Sequence, residues 1–495
     1  IQMYQDEGNG ETLTYRQLKA GAMKVAVGLQ QLGLKPAGPV SIMLPSGLDY
    51  FFSFFGILMA GGIPVPIYPP VRLSQLEDHM RRHSRILSNC GASILITVTE
   101  ARGVAQLLKS QVPKLQHIVT VSKLSKSDQV PSLPTLNKDD IAFIQYTSGS
   151  TGNPKGVVLT HANLLSNIRA MGQAIEVNSE DIFISWLPLY HDMGLIGAWL
   201  GSMYYALLFV VMSPLSFLAR PERWLWAIHR YRGTLSASPN FGYEYCLKRI
   251  NEEDLKGLDL SSWRAAFNGA EAVSPDTLQE FIQHFARFGF GANAMMPVYG
   301  LAESSVGLAF PPLGRGPLID HIDRITFMDT GEAKPVEDKD KNALRFPSCG
   351  VALARHQIRV VDPTGHELPE RQQGQLQFRG PSSTSGYYRD TEKTQSLFDG
   401  DWINSGDLAY IANGEIYLTG RTKDIIIRAG RNIYPPEIEE AIGDTPGIRK
   451  NCVAVFGTID RTSGTERIVV VAESDRADSE ARQELRRKIS DVATD

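Results

Sequence analysis

Residues 146–156 read Tyr-Thr-Ser-Gly-Ser-Thr-Gly-Asn-Pro-Lys-Gly and lie between two apolar stretches, 141–145 and 157–159. No other segment limits the architecture so strongly. The flanks predict buried strands, which makes the run the loop between them. Gly149, Gly152 and Gly156 let backbone N–H groups come close to a ligand, and the hydroxyls of Thr147, Ser148, Ser150 and Thr151 offer further donors. Lys155, at the exit, is a compact positive charge suited to phosphate. This chemistry predicts a cradle for the polyphosphate of a nucleotide. A Walker-type loop is excluded, because that loop ends in Gly-Lys-Ser/Thr and opens a helix. Here Pro154 precedes the lysine, Gly156 follows it, and the β-branched Val157 and Val158 come next.

The run resembles the phosphate loop of the adenylate-forming superfamily: acyl-CoA synthetases, adenylation domains of peptide synthetases, and luciferases. The resemblance implies ATP-dependent activation of a carboxylate to an acyl-adenylate, with release of pyrophosphate. It also implies an α/β fold. A large N-terminal domain, with two α/β layered subdomains and a small β-barrel-like one, would precede a small α+β domain.

Further motifs follow in the order that this resemblance implies. Phe267-Asn268-Gly269-Ala270-Glu271 is similar to the family's adenine-contacting turn, although Asn-Gly alone is a common turn. Met296-Pro297-Val298-Tyr299-Gly300-Leu301-Ala302-Glu303-Ser304 matches the segment whose aromatic stacks on adenine and whose glutamate reaches Mg2+. A ring offers a π-face to a base, and a carboxylate suits a hard cation. The implied metal residues are therefore Glu303 and Thr147. Trp402-Ile403-Asn404-Ser405-Gly406-Asp407-Leu408 matches the ribose-binding aspartate, Asp407. Arg421 resembles the arginine that meets ribose or phosphate, and Lys423 falls at the hinge about which the small domain turns. In Trp186-Leu187-Pro188-Leu189-Tyr190-His191-Asp192, the His-Asp pair reads either as a helix entry or as an acid/base pair. By resemblance His191 borders the carboxylate and the acyl pocket and positions substrate.

Composition is that of an ordinary globular protein and adds exclusions. The chain has 495 residues, too many for one simple core, with 43% hydrophobic and 21% charged residues. A net charge of −4 without a basic tract gives no nucleic-acid or anionic-membrane surface. Cys90, Cys246, Cys349 and Cys452 are widely spaced, so neither a zinc site nor a disulfide framework is predicted, and a reducing cytoplasm fits. No signal peptide is expected from the opening residues. The apolar stretch 195–212 is nearly long enough to span a membrane, but His191-Asp192, Gly197, Gly201 and Ser213-Pro214 argue for a core helix followed by a strand over 207–211.

Pattern along the chain predicts layered α/β structure with buried, parallel strands. Thr14-Tyr15-Arg16-Gln17 is a capping box for a helix to about residue 32. Strands are expected over 40–44, 94–98 and 118–121, with a helix over 50–59; 123–140 reads as a polar connector. From about 331 short alternating strands mark a β-rich subdomain to 421. Residues 422–495 then read as a partial α+β domain, giving a domain boundary at 421/422.

Within the superfamily, three features resemble the fatty acyl-AMP ligases. Ile67-Tyr68-Pro69-Pro70 and Leu189-Tyr190-His191-Asp192-Met193-Gly194-Leu195 look like that group's versions of shared motifs. Residues 327–349 look like its insertion, against the plainer reading of a surface loop. Arg431 departs from the Gly-Gly or Ser-Gly pair usual in CoA ligases. The resemblance then implies a fatty acid substrate and an acyl carrier protein, through its phosphopantetheine arm, as acceptor. An insertion of this kind is expected to restrict domain rotation. The open alternatives are a CoA ligase, an amino-acid-adenylating domain, and a non-catalytic acyl-nucleotide binder. The superfamily's C-terminal lysine is not found before Asp495, and the chain opens at Ile1 without Met, so it is expected to be a fragment.

Overall fold

The structure is a computed structural model that describes residues 1–6, 10–70, 76–127, 129–147, 154–340, 342–424, 426–428, 431–433, 435–443, 445–459, 466–476 and 478–492. Two compact units emerge. The first comprises Ile1–Leu318, Cys349–Ile358 and Phe378–Ile403; the second comprises Ile319–Ser348, Arg359–Gln377 and Asn404–Asp495. They are defined by contacts and cut across the residue ranges read from motif texture.

The first unit contains two parallel sheets. In the smaller, the strand order is Ile63–Pro66, Pro39–Met43, Ile94–Thr97, His117–Val119. Helix Tyr15–Gln31 has the capping box that its sequence predicts: Thr14 Oγ1 accepts from the Gln17 backbone N–H, and the Gln17 side chain accepts from the Thr14 N–H. It packs on helix Leu48–Met59. Gly56 permits this crossing, since a Cβ there would lie 2.6 Å from the Val25 side chain.

The larger sheet has the order Gln2–Met3, Leu208–Val211, Ile182–Ser185, Leu235–Ser238, Ala265–Asn268, Met295–Pro297, again all parallel. Its amino end is tied by one ionic knot. Asp181, 3% exposed, accepts from Arg264 Nε at 2.8 Å, Arg264 Nη2 at 2.6 Å and Thr234 Oγ1 at 2.7 Å. Each of the three residues stands just before or at the start of one strand, so the knot sets the stagger of three neighbours.

Strands Ile141–Thr147 and Lys155–Thr160 form a separate antiparallel pair, with Thr147 opposite Lys155. The intervening segment is too short for the crossover of a dozen or more residues that a parallel pair requires. The stretch 195–212 is a π-helix, Met193–Leu200, then a short turn of helix, Gly201–Tyr204, and the buried strand Leu208–Val211. Trp199 at its centre is fully buried against Tyr50, Phe51, Phe54 and Phe55. Among the described residues, no helix is long and apolar enough to cross a membrane.

Helix Leu76–Cys90 carries a buried imidazole pair. His79 and His83 stack with ring centroids 3.8 Å apart, and His83 Nδ1 donates to the His79 carbonyl at 2.7 Å. Burial, then the neighbouring His79, pushes His83 down from 6.5 to about 3. The unfolded chain thus binds a proton that the folded chain refuses, and stability is lost as pH falls from about 6.5 toward 3. The contribution approaches ~1.4 kcal/mol per pH unit. His83→Asn should flatten the dependence of the urea midpoint on pH between 6 and 4; an unchanged slope would mean that the ring takes up its proton in the folded state.

Strand Trp402–Ala412, which belongs to the second unit from Asn404 onward, pairs antiparallel with Glu415–Arg421, from Asp407 opposite Arg421 to Ala412 opposite Glu415. Strand Ile319–Ile322 pairs with Leu344–Pro347, and helix Arg324–Thr330 lies between them in sequence, capped by Asp323. Phe327 and Ala333 are fully buried with Leu344, Tyr410 and Tyr417. Residues 327–349 therefore supply core through Phe327, Ala333 and Leu344, while the charged segment 337–340 is exposed. Helix Arg324–Thr330 also lies against strand Arg431–Ile433. The remainder is helix Pro435–Gly443, the antiparallel pair Ile448–Ile459 and Glu466–Ser474, and helix Ser479–Val492.

Candidate active site

Four adjacent strands of the larger sheet run in the same direction, and each delivers a motif at its carboxyl end. Strand Ile182–Ser185 leads into Trp186–Asp192, Leu235–Ser238 into Pro239-Asn240, Ala265–Asn268 into Gly269-Ala270-Glu271, and Met295–Pro297 into Tyr299–Glu303. In open α/β sheets this is the end at which ligands bind. The topology gathers segments that are more than a hundred residues apart in sequence.

Local geometry explains the residue types. Gly300 admits no side chain, since a Cβ would sit 1.7 Å from the Val306 carbonyl oxygen. Gly269 is confined in the same way, with the Val298 oxygen at 2.8 Å from a built Cβ. Ala270 takes a φ of +68°. Glu271 Oε1 accepts from the Phe241 N–H at 2.6 Å, and burial holds its carboxyl above the usual range. Tyr299 is buried, with 6% exposure. Leu301 and Ala302 lead into a short 3-10 turn, Ala302–Ser304, that carries Glu303.

His191 Nδ1 lies 2.7 Å from Asp192 Oδ1, and the same carboxylate oxygen accepts from the Met193 N–H at 2.7 Å, capping the π-helix. The Asp192 charge holds His191 above its ordinary value. Asp192 thus has a helix-entry role, while the half-exposed His191 carries a proton readily.

Glu303 and Lys155 meet through a residue that the motifs did not single out. Tyr387 Oη donates to Glu303 Oε1 at 2.8 Å and accepts from Lys155 Nζ at 3.3 Å. The ammonium also lies 4.7 Å from the centroid of the Tyr387 ring. Backbone contacts reinforce the junction: the Thr384 N–H donates to the Glu303 carbonyl at 2.8 Å, and the Tyr388 N–H to the Gly156 carbonyl at 2.7 Å. The only sequence signal for Tyr387 is an aromatic pair after a glycine, Gly386-Tyr387-Tyr388, which by itself specifies nothing.

The other expected residues fall into separate groups. Thr147 ends its strand opposite Lys155. Ser148, Gly149, Ser150, Thr151 and Gly152 lie outside the described residues. In the second unit, Asp407 and Arg421 face one another across their strand pair, with Arg421 Nε 3.7 Å from Asp407 Oδ1. Asp407 is largely buried, whereas Arg421 and Lys423 are exposed.

Comparison with known proteins agrees with this arrangement. Residues 2–388 match the family model of the AMP-binding enzymes. The chain is 34% identical over 495 residues to the medium-chain-fatty-acid–[acyl-carrier-protein] ligase JamA of Moorena producens, covering 95% of this chain and 82% of that one. A structure from studies of fatty acyl-adenylate ligases from E. coli and L. pneumophila superposes with a TM-score of 0.91 at 32% identity, over 99% of this chain and 87% of the other. The L. pneumophila fatty acyl-adenylate ligase in complex with acyl adenylate and pyrophosphate gives a TM-score of 0.79 at 33% identity, over 99% and 86%. The fold is that of the adenylate-forming α/β class. The chain belongs to the AMP-binding enzyme family.

Proposed function

We propose that this chain is a fatty acyl-AMP ligase: it joins a fatty acid to the adenylyl group of ATP, releases pyrophosphate, and passes the acyl group to the phosphopantetheine thiol of an acyl carrier protein. The observation that carries the reading is the meeting of Glu303 and Lys155 at Tyr387, beside the carboxyl ends of four parallel strands. The likeness to an acyl-carrier-protein ligase supports the acceptor.

The fatty carboxylate is itself the nucleophile, so the protein needs to supply position and charge rather than a covalent intermediate. Its oxygen attacks the α-phosphorus in line, and pyrophosphate departs. Lys155 and the loop from Thr147 to Gly152 hold the departing phosphates. Tyr299 and the Gly269–Glu271 turn hold the adenine, and Gly300 lets the backbone of that loop fold close. Asp407 accepts from the ribose hydroxyls, with Arg421 beside it. His191 orients the carboxylate at the mouth of the acyl site, and Lys423 serves as the hinge.

Among the described residues, no group of three or more His, Cys, Asp and Glu side chains could hold a metal ion. Mg2+ binds through one or two carboxylates and completes its shell with substrate phosphates and water. Glu303, with the Thr147 hydroxyl, would hold it, and the ion would neutralise charge at the phosphates. The four cysteines are free thiols, in keeping with a cytoplasmic location.

The test mixes the protein with ATP, Mg2+ and a medium-chain fatty acid and follows products by mass spectrometry, adding either CoA or phosphopantetheinylated carrier protein. Acyl-AMP should persist with CoA and be consumed by the carrier protein. Abundant acyl-CoA would make the chain a CoA ligase, and pyrophosphate release that needs an amino acid would overturn the fatty acid reading.

A further inference from the structure

Tyr387 stands on a short strap, Ser382 to Tyr388, that fastens two parts of the site at once. On one side the strap grips the strand that follows the phosphate loop. Tyr387 bridges Val157, the Val158 N–H donates to the Gly386 carbonyl at 3.1 Å, and Thr384 Oγ1 donates to the Val158 carbonyl at 2.7 Å. On the other side it grips the loop that carries Glu303. The Thr384 N–H holds the Glu303 carbonyl, and Ser305 Oγ donates to the Ser382 carbonyl at 2.9 Å. Ser382 Oγ accepts from Asn167 Nδ2 at 3.0 Å and contacts His356 Nε2 at 2.5 Å.

The grip is tight enough to hold a strained turn. Ser305 is fully buried with φ +66° and ψ −68°, and the Val306 N–H donates to the Ser304 carbonyl at 2.8 Å. This is a γ-turn in the rarely populated positive-φ form, and such a turn persists only where the surroundings over-determine it. It comes two residues after Glu303. The Tyr387 ring is fixed as well, with 6% exposure and its N–H donating to Thr394 Oγ1 at 2.9 Å. Facing a carboxylate, which can only accept, the hydroxyl is the donor of that bond.

We propose that Tyr387 is a positioning residue for binding of the nucleotide and its cation: its hydroxyl holds the Glu303 carboxylate and the Lys155 ammonium at a fixed separation, so that neither spends its charge on the other. The inference rests on the reading that Glu303 and Lys155 serve the nucleotide. The hydroxyl lies between an anion and a cation, accepting from one and donating to the other. With the hydroxyl removed, the carboxylate and the ammonium can approach one another, and the nucleotide with its cation would then have to part them. Tyr387→Phe keeps the ring and every backbone contact of the strap and removes only this spacer.

The test is calorimetric binding of a non-hydrolysable ATP analogue as Mg2+ is titrated, with thermal melting alongside. Tyr387→Phe should weaken Mg2+-dependent binding about tenfold, the scale of a hydrogen bond to a charged group, and leave the melting temperature near that of the wild type. Glu303→Ala should also weaken binding, and Tyr387→Phe should add little on top of it, because the pair acts as one unit. In turnover the loss should fall on KM for ATP rather than on kcat. Unchanged binding by Tyr387→Phe beside weakened binding by Glu303→Ala would overturn the proposal and leave the nucleotide reading standing. Fully additive losses would overturn it too, since Tyr387 would then act independently of Glu303. Wild-type protein that does not bind the analogue would remove the nucleotide reading itself, and the proposal with it.

Discussion

Glu303→Gln should lower the rate of pyrophosphate release about 10²–10³-fold, the range seen when one preorganised electrostatic group is lost from an active site. The substitution keeps shape and removes charge. Its backbone stays anchored, because the carbonyl of residue 303 still accepts from the Thr384 N–H, and the amide oxygen can still accept from Tyr387. The fold should therefore be unaffected and the melting temperature nearly so. What disappears is the anionic oxygen that a hard cation prefers to a neutral amide. Pyrophosphate release at saturating fatty acid, followed over a range of Mg2+ concentrations, reads the effect. A rate near that of the wild type would remove Glu303 from the metal role.

Arg264→Ala should give the largest loss of stability without touching the chemistry. Asp181 is 3% exposed and receives two of its hydrogen bonds from the Arg264 guanidinium. Taking the arginine away leaves a buried carboxylate with only Thr234 Oγ1 and the Asn178 N–H. Breaking one partner of such a pair costs about 3–5 kcal/mol, mostly through the charge left behind. Arg264 remains partly exposed, which places the expectation at about 3 kcal/mol. The knot lies at the amino end of the sheet, and the motif-bearing loops leave from the carboxyl end. KM for ATP should thus stay near the wild-type value while the urea midpoint falls. A fall in both would show that strand stagger at one end is transmitted to the loops at the other.

What was legible in the sequence was local. The capping box at Thr14 and Gln17 involves residues three apart and appears in the structure as read. Apolar runs of four or five residues, such as 40–44 and 94–98, became strands within a residue or so of the expected ends because burial on both faces leaves few other options. The long motif spacing revealed the family because each motif sits on its own strand end. What was hidden depends on distant pairing. Tyr387 meets Lys155 across 232 residues and Glu303 across 84, and nothing in a Gly-Tyr-Tyr run signals either partner. The buried role of Phe327 was equally concealed: one aromatic in a polar stretch looks like a loop until Tyr410 and Tyr417 arrive from elsewhere. Antiparallel pairing around the phosphate loop follows from loop length, which the apolar flanks alone do not express.

The winding of Met193–Leu200 bears on how such a chain can change over time. A π-helix fits more residues into each turn than an α-helix and is therefore the place where one residue can be removed and the segment can rewind rather than break. The neighbouring strand, Leu208–Val211, has no such slack, because losing a residue there would flip its remaining side chains to the opposite face. Length variation along this stretch is thus channelled into one segment. Shifting Trp199 by a single position would recast the aromatic packing around Tyr50 and Phe54 in one step, a remodelling that stepwise substitution of these buried rings would reach only through overpacked or hollow intermediates.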